Sequence, residues 1–434
     1  MASKDKIEII FHAGVLTIGG TVVEIAYQDS HIFFDFGTEF RPELDLPDES
    51  LQTLLENRLI PELKDIYDFR FENEYKGLPR PDFTHTAVFL SHAHLDHTRM
   101  VNYLDPSIPM YALKATAEVL PVLNQNGDFL IPQPFEDDKA FTREIIGIAP
   151  YGTVKVGDIE VELAPVDHDA YGACGMIIRV AGRKIAYTGD LRLHGYDPDD
   201  TLKFTQLARQ ADMLIMEGVS ISFPEREAEE NEPVEHPIYS EQDLIDEFVR
   251  LQKENSERQI TFNGYPANVK RFSQLVKASP RKVVLTQDMA LLLKKIFGQE
   301  TLYYVMPGAE RREALNPALE IDYSTLLADK SDYLWQVESD FDKLQRGGLY
   351  IHSDASPLGD FDPHYQPFLD MLSENGIEFV RLACSGHAVP DDLKKIVQLI
   401  EPKLLVPIHS YHPERLENPY GDRILPERGQ VIAL

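Results

Sequence analysis

Ser91-His92-Ala93-His94-Leu95-Asp96-His97 follows directly on the short β-rich run Thr86-Ala87-Val88-Phe89-Leu90. Three imidazoles and a carboxylate at a strand end place several N and O donors around one small volume, as a divalent metal site requires. Two later donors have a similar setting. His168, in Val166-Asp167-His168-Asp169, follows the strand expected around Val161. Asp190, in Tyr187-Thr188-Gly189-Asp190, follows another strand and a glycine that permits close backbone approach. Together with the first box they complete a two-metal set, in which a bridging carboxylate holds the ions about 3.5–4 Å apart.

Working outward, Thr21 to Ile25 and His31 to Phe36 read as consecutive antiparallel strands, with Gly19 and Gly20 before the first. Residues 41 to 83 look like a long insertion with one helix-like run, Leu51 to Leu59. A second β block spans Thr153 to Leu163, Gly175 to Val180 and Lys184 to Tyr187, the last two joined as a hairpin. From Met213 the pattern becomes strand–helix alternation. Ser240 with Asp243 caps a helix, and strands at Ile260 to Phe262 and Val283 to Leu285 are separated by helices at Val269 to Val276 and Met289 to Phe297. That alternation implies a parallel sheet. Strands at Leu349 to His352, Glu378 to Leu382 and Leu404 to Ile408 follow, with a helix from Asp391 to Ile400. The acidic run Glu225 to Glu235 reads as a solvated loop.

The 434 residues correspond to about three domains of roughly 150 residues, or to one large α/β unit with an insertion. A chain of this size buries roughly three quarters of its unfolded surface, so it needs no metal to hold its core together. A metal here serves chemistry. With 43% hydrophobic and 26% charged residues, wholesale disorder and fibrous structure are excluded. No apolar stretch reaches the ~18 residues of a membrane span, and the opening segment Met1 to Ile10 has no apolar signal core, so the expected location is the cytoplasm. Cys174 and Cys384, 210 residues apart, suit neither a disulfide framework nor a cysteine zinc site. The net charge of −30 opposes nucleic-acid binding at long range. Arg250 to Arg312, however, carries 12 Lys and Arg against 5 acidic residues, enough for a basic track that includes Lys270 and Arg271 at the start of an expected helix.

The His-x-His-x-Asp-His box, the later His168 and the later Asp190 resemble the metallo-β-lactamase superfamily. Features after residue 213 resemble its β-CASP branch, in particular ribonuclease J-type nucleases. The motifs are Glu217 in Met216-Glu217-Gly218, His387 in Cys384-Ser385-Gly386-His387-Ala388, His409 in Val406-Pro407-Ile408-His409-Ser410, and Asp35 in Phe34-Asp35-Phe36-Gly37. The resemblance implies an α/β fold: an αβ/βα sandwich from residues 1 to 215 and 382 to 434, with a Rossmann-like β-CASP domain inserted at 216 to 381 and the substrate between the domains. It implies that His92, His94 and His168 hold one ion, that Asp96, His97 and His409 hold the other, and that Asp190 bridges them. Asp35 would orient ligands, while His387 would protonate the leaving oxygen with Glu217 holding its tautomer.

Ser353, and Ser385 with Gly386, lie at strand ends where hydroxyls and backbone amides can cradle a phosphate. None of His12, His31, His85, His194, His236, His352, His364 and His412 fits the donor set, His194 coming nearest. Three features depart from the family: only about 25 residues follow His409, where ribonuclease J-type enzymes carry a further domain; the chain is more acidic than most members; and Ser410 and Tyr411 follow the last His where an acid is usual.

The expected function is that of a binuclear metal-dependent phosphodiesterase with two divalent ions, zinc before manganese, and a metal-bridging hydroxide. It would act as an exo- or endoribonuclease on single-stranded RNA, away from membranes and as a monomer or homo-oligomer. One rival is a small-molecule metallo-hydrolase of thioesters, lactones or cyclic phosphodiesters. Another is a non-catalytic partner subunit, which the full donor set opposes.

Overall fold

The β-rich runs on either side of the histidine box assemble into two seven-stranded sheets, as seen in the computed structural model, which describes residues 6–39, 41, 43–44, 46–63, 65–71, 82–223 and 237–434. The acidic run Glu225 to Glu235, with His236 and part of the 41 to 83 insertion, lies outside the described residues.

The first sheet contains β1 (Glu8–Ala13), β2 (Val22–Tyr27), β3 (Ser30–Phe34), β4 (Thr86–Phe89), β5 (Met110–Leu113), β6 (Ile146–Ile148) and β20 (Gln430–Ala433), in the order β20-β1-β2-β3-β4-β5-β6. The second contains β7 (Thr153–Val156), β8 (Ile159–Pro165), β9 (Cys174–Val180), β10 (Arg183–Tyr187), β11 (Met213–Glu217), β18 (Leu404–Ile408) and β19 (Asp422–Arg423), in the order β19-β18-β11-β10-β9-β8-β7. The early strands are antiparallel as expected, Ile25 facing both Ile9 and Ile32. Their period-2 alternation turns Ile9, Phe11, Val23, Ile25, Phe34 and Phe89 inward, onto Val161, Leu163, Met176, Ile178, Tyr187 and Ile215 of the second sheet. The other face of the second sheet is covered by the helices Pro198–Ala208 and Pro390–Ile400 through Phe204, Leu393, Ile396 and Val397. The outer face of the first sheet carries Glu24, whose carboxylate meets His12 Nε2 at 2.8 Å and His31 Nδ1 at 2.7 Å.

These sheets belong to one compact unit, made of Met1–Leu193, Asp197–Pro233 and Gly386–Leu434; His194–Tyr196 and Val234–Ser385 form a second. The second unit is built on the parallel sheet that the strand–helix alternation implied. It comprises β12 (Ile260–Gly264), β13 (Lys282–Thr286), β14 (Leu302–Tyr304), β15 (Tyr333–Gln336), β16 (Leu349–Ser353) and β17 (Glu378–Arg381), in the order β14-β13-β15-β12-β16-β17. Ser240 caps the helix Glu241–Glu254 by accepting from the Asp243 amide, while the Asp243 carboxylate accepts from Tyr239 N. The core gathers Trp335, Tyr304, Tyr323 and Tyr350.

Much of the basic stretch is buried or ion-paired. Arg271 is 3% exposed and donates to both oxygens of Glu241, to Asp354 Oδ2 and to the Cys384 carbonyl. Arg281 is also buried, on backbone carbonyls, and Arg258, Lys294, Arg311 and Arg312 pair with Glu378, Glu300, Glu320 and Asp288. Counting charges along the chain missed these partners because most lie outside the counted segment.

Candidate metal centre

Every donor in the boxes sits just beyond the carboxyl end of a strand of the first unit. Asp35 follows β3, His92 and His94 follow β4, His168 follows β8, Asp190 follows β10 and His409 follows β18; Asp96 and His97 ride on the one-turn helix Leu95–Thr98. Parallel neighbours end on one edge, so residues remote in sequence converge there. The packing leaves no room for side chains at two glycines. A Cβ on Gly37 would lie 1.8 Å from the Asp96 carbonyl oxygen, and one on Gly189, at φ +54°, would lie 2.8 Å from Ser91 Cβ. Asp35 and His409 adopt φ of 57° and 52°, a left-handed backbone that non-glycine residues hold only when their surroundings enforce it.

Two donor groups result, His92–His94–His168–Asp190 and Asp96–His97–Asp190–His409, each with ligand atoms within 4.8 Å of one another. Asp190 belongs to both. Its Oδ2 lies 3.5 Å from His92 Nε2 and 3.2 Å from His97 Nε2, and its Oδ1 lies 3.3 Å from His409 Nδ1. Asp96 Oδ2 lies 3.3 Å from His409 Nε2. These separations approach the ~3.4 Å edge of a tetrahedron with metal–ligand arms of about 2.1 Å.

Divalent ions fit this donor set. Among the described residues, the Nε2 atoms of His92, His97 and His409 and both oxygens of Asp190 are buried without a hydrogen bond, which is costly unless something else engages them. Electrostatics points the same way. Burial would keep His97 and His409 neutral, but the Asp190 and Asp96 carboxylates outweigh it and raise both imidazole pKa values, so the cluster draws positive charge. His92 is pushed well below the usual range by burial and by the neighbouring imidazoles, leaving it a neutral lone-pair donor.

Behind the donors, Asp35 is fully buried. It accepts from Ser91 N at 2.7 Å, Ser91 Oγ at 2.8 Å, Tyr187 OH at 2.6 Å and His97 Nδ1 at 2.9 Å. His387 Nδ1 lies 3.3 Å from Glu217 Oε1, and Glu217 also accepts from Val219 N at 2.9 Å. Burial alone would lower the His387 pKa, but the Glu217 charge overrides it and holds the value above the usual one.

The anion-cradle residues divide between the two units. Ser353, at the end of β16 in the second unit, is fully buried with Oγ accepting from Arg271 Nη1. Ser385 is exposed and its carbonyl accepts from His194 Nε2 at 2.9 Å, whereas the Gly386 carbonyl, in the first unit, accepts from His168 Nδ1 at 2.5 Å. Sequence reading passed over Asp169, whose Oδ1 lies 3.2 Å from His168 Nε2; its position directly after a donor histidine was the available signal.

The family model of the beta-lactamase superfamily domain matches residues 68–237. Ribonuclease J of Mycoplasma genitalium is 21% identical over 94% of this chain, which spans 68% of that protein; ribonuclease J of Helicobacter pylori is 22% identical over 94% of this chain, which spans 56% of it. A solved structure of an Enterococcus faecalis V583 protein of unknown function superposes with a TM-score of 0.92 at 60% identity, covering 99% of this chain and 100% of that one. Strand-end donors read from chemistry and likenesses found by comparison converge: residues 68–237 carry the beta-lactamase superfamily domain, the chain is similar to ribonuclease J over 94% of its length, and it is a metal-dependent hydrolase.

Proposed function

We propose that the chain is a nuclease that hydrolyses phosphodiester bonds of single-stranded RNA. His92, His94 and His168 would hold one divalent ion, Asp96, His97 and His409 the second, with Asp190 between them. The sharing of one buried carboxylate by two donor groups carries this reading, and the likeness to ribonuclease J supports the substrate class. When bound, such ions, zinc suiting the imidazole-rich set best, acidify a water nucleophile and neutralise the phosphate.

The side chains do the positioning. Asp35 takes the Nδ1–H of His97 and so turns Nε2 toward the donors, while Ser91 and Tyr187 keep the carboxylate from swinging away. Glu217 occupies the Nδ1 side of His387, which leaves Nε2 to carry the proton to the leaving oxygen. The backbone amide of Val219 fixes Glu217 in turn.

Charge favours a second reading, hydrolysis of a small thioester, lactone or cyclic phosphodiester. The chain is −30 overall, and much of its one basic stretch is buried or ion-paired. Incubating metal-loaded protein with 5′-monophosphorylated and 5′-hydroxyl RNA and DNA oligomers, then sizing the products, separates the two. Shortened RNA is expected, mononucleotides marking an exonuclease and longer fragments an endonuclease. Intact oligomers alongside hydrolysed small esters would replace the RNA reading with the second.

A further inference from the structure

Three of the donor histidines are anchored through the ring nitrogen that faces away from the donor group. His97 Nδ1 meets Asp35 at 2.9 Å, His92 Nδ1 meets Ser91 Oγ at 2.9 Å and His168 Nδ1 meets the Gly386 carbonyl at 2.5 Å, so all three present Nε2. His94 is turned the other way. Its Nδ1 lies 3.3 Å from His168 Nε2, and its Nε2 faces Asp169, 3.4 Å from Oδ1. An anchor that left Nδ1 to the donor group would stand on the Nε2 side, which Asp169 faces.

Asp169 is 12% exposed at its side chain, and its Oδ1 is buried without a hydrogen bond among the described residues. The four donors that come within 4.8 Å of one another are His92, His94, His168 and Asp190; Asp169 falls outside that set, although its Oδ1 also lies 3.2 Å from His168 Nε2, so the experiment must separate an anchor from a ligand. Space for its carboxylate is provided by a missing side chain, since a Cβ on Gly386 would lie 2.3 Å from Oδ1. The same glycine thus anchors His168 through its carbonyl and admits Asp169.

A neutral imidazole has one N–H, and a metal takes the lone pair of the other nitrogen. We propose that Asp169 is a positioning residue for the first ion: its carboxylate receives the Nε2–H of His94 and fixes the tautomer that offers Nδ1 to the donor group. This rests on the metal-site reading above.

The test measures ion affinity on the full chain by competition with a chromophoric chelator, for the parent, Asp169→Ala and Asp169→Asn. Alanine should weaken one of the two ions about 10–100-fold and leave the other and the melting temperature of the metal-free protein unchanged. Asparagine, whose amide oxygen accepts the same N–H, should restore most of the affinity, and its cobalt(II)-loaded form should keep the parent's visible absorption intensity. The Asn variant keeps the test valid should the Ala variant fail to fold. Parent-like affinity in Asp169→Ala, an Asn variant as weak as Ala, or a changed cobalt coordination number would each overturn the proposal while the metal-site reading stands. A parent protein that takes up no ion would overturn both.

Discussion

Replacing Arg271 with alanine should destabilise the Val234–Ser385 unit by about 3–5 kcal/mol, the range for removing one partner of a buried ion pair. The structure puts this residue at the upper end of what a single side chain can do. Its guanidinium donates at 2.9 and 2.7 Å to Glu241, at 2.7 Å to Asp354, at 3.2 Å to Ser353 Oγ and at 3.1 Å to the Cys384 carbonyl. The Glu241 side chain is 0% exposed, so its charge cannot rehydrate when the partner is cut away, whereas Asp354, at 24%, partly can. The chain's single tryptophan, Trp335, lies in the core of this unit, so its fluorescence in a urea titration reports on that unit. With a slope of about 2 kcal/mol per molar urea, the midpoint should fall by roughly 2 M. The double variant Arg271→Met, Glu241→Leu should recover much of the loss, because it leaves no buried charge at Glu241. A shift below about 1 kcal/mol in the alanine variant would refute the reasoning, since that is the worth of a solvated surface pair.

Asp190→Ala should leave at most one weakly held ion per chain, read by elemental analysis after reconstitution, because both donor groups lose the same carboxylate. His387→Ala should lower turnover by roughly 10²- to 10⁴-fold with metal content unchanged; loss of metal would make His387 a ligand instead. On the outer face of the first sheet, the Glu24 hydrogen bond outweighs burial and raises His31, whereas at Glu24 itself burial is outweighed by His12 and His31, which lower the carboxylate. The raised imidazole contributes stability below its ordinary pKa of 6.5 and loses it as pH rises through the folded value; the carboxylate's share is lost as pH falls through its own lowered value. Stability should therefore decline from pH 6 upward more in the parent than in Glu24→Gln, and superimposable pH profiles would contradict the assignment.

The donor box was legible because it is local: ligands one to five residues apart at a strand end need no tertiary information. The alternation after Met213 was legible for the same reason. What escaped depends on distance. β5 and β6 are only four and three residues long, and Pro121 interrupts the pattern of the helix Lys114–Leu123 beside them. β20 acquires its role by pairing with β1, Ile9 facing Ile432, which no window along the chain reveals. Arg271 read as surface charge because its acidic partners are 30 and 83 residues away. Asp169 carries no motif of its own, and its place is defined by the approach of Gly386 across 217 residues.

The pairing of β11 with β18 has a consequence for synthesis. Met213-Leu214-Ile215-Met216 is completed on one side by β10 and on the other only by Leu404–Ile408, which the ribosome makes after the whole Val234–Ser385 unit. Until then a nascent chain carries an open apolar strand edge and lacks His409, so only one of the two donor groups can close. The four donors of the other group, His92 through Asp190, are all in place before β11 is made. Early metal uptake by that group would stiffen the very edge that awaits its partner, coupling cofactor supply to the yield of folded protein as well as to its activity.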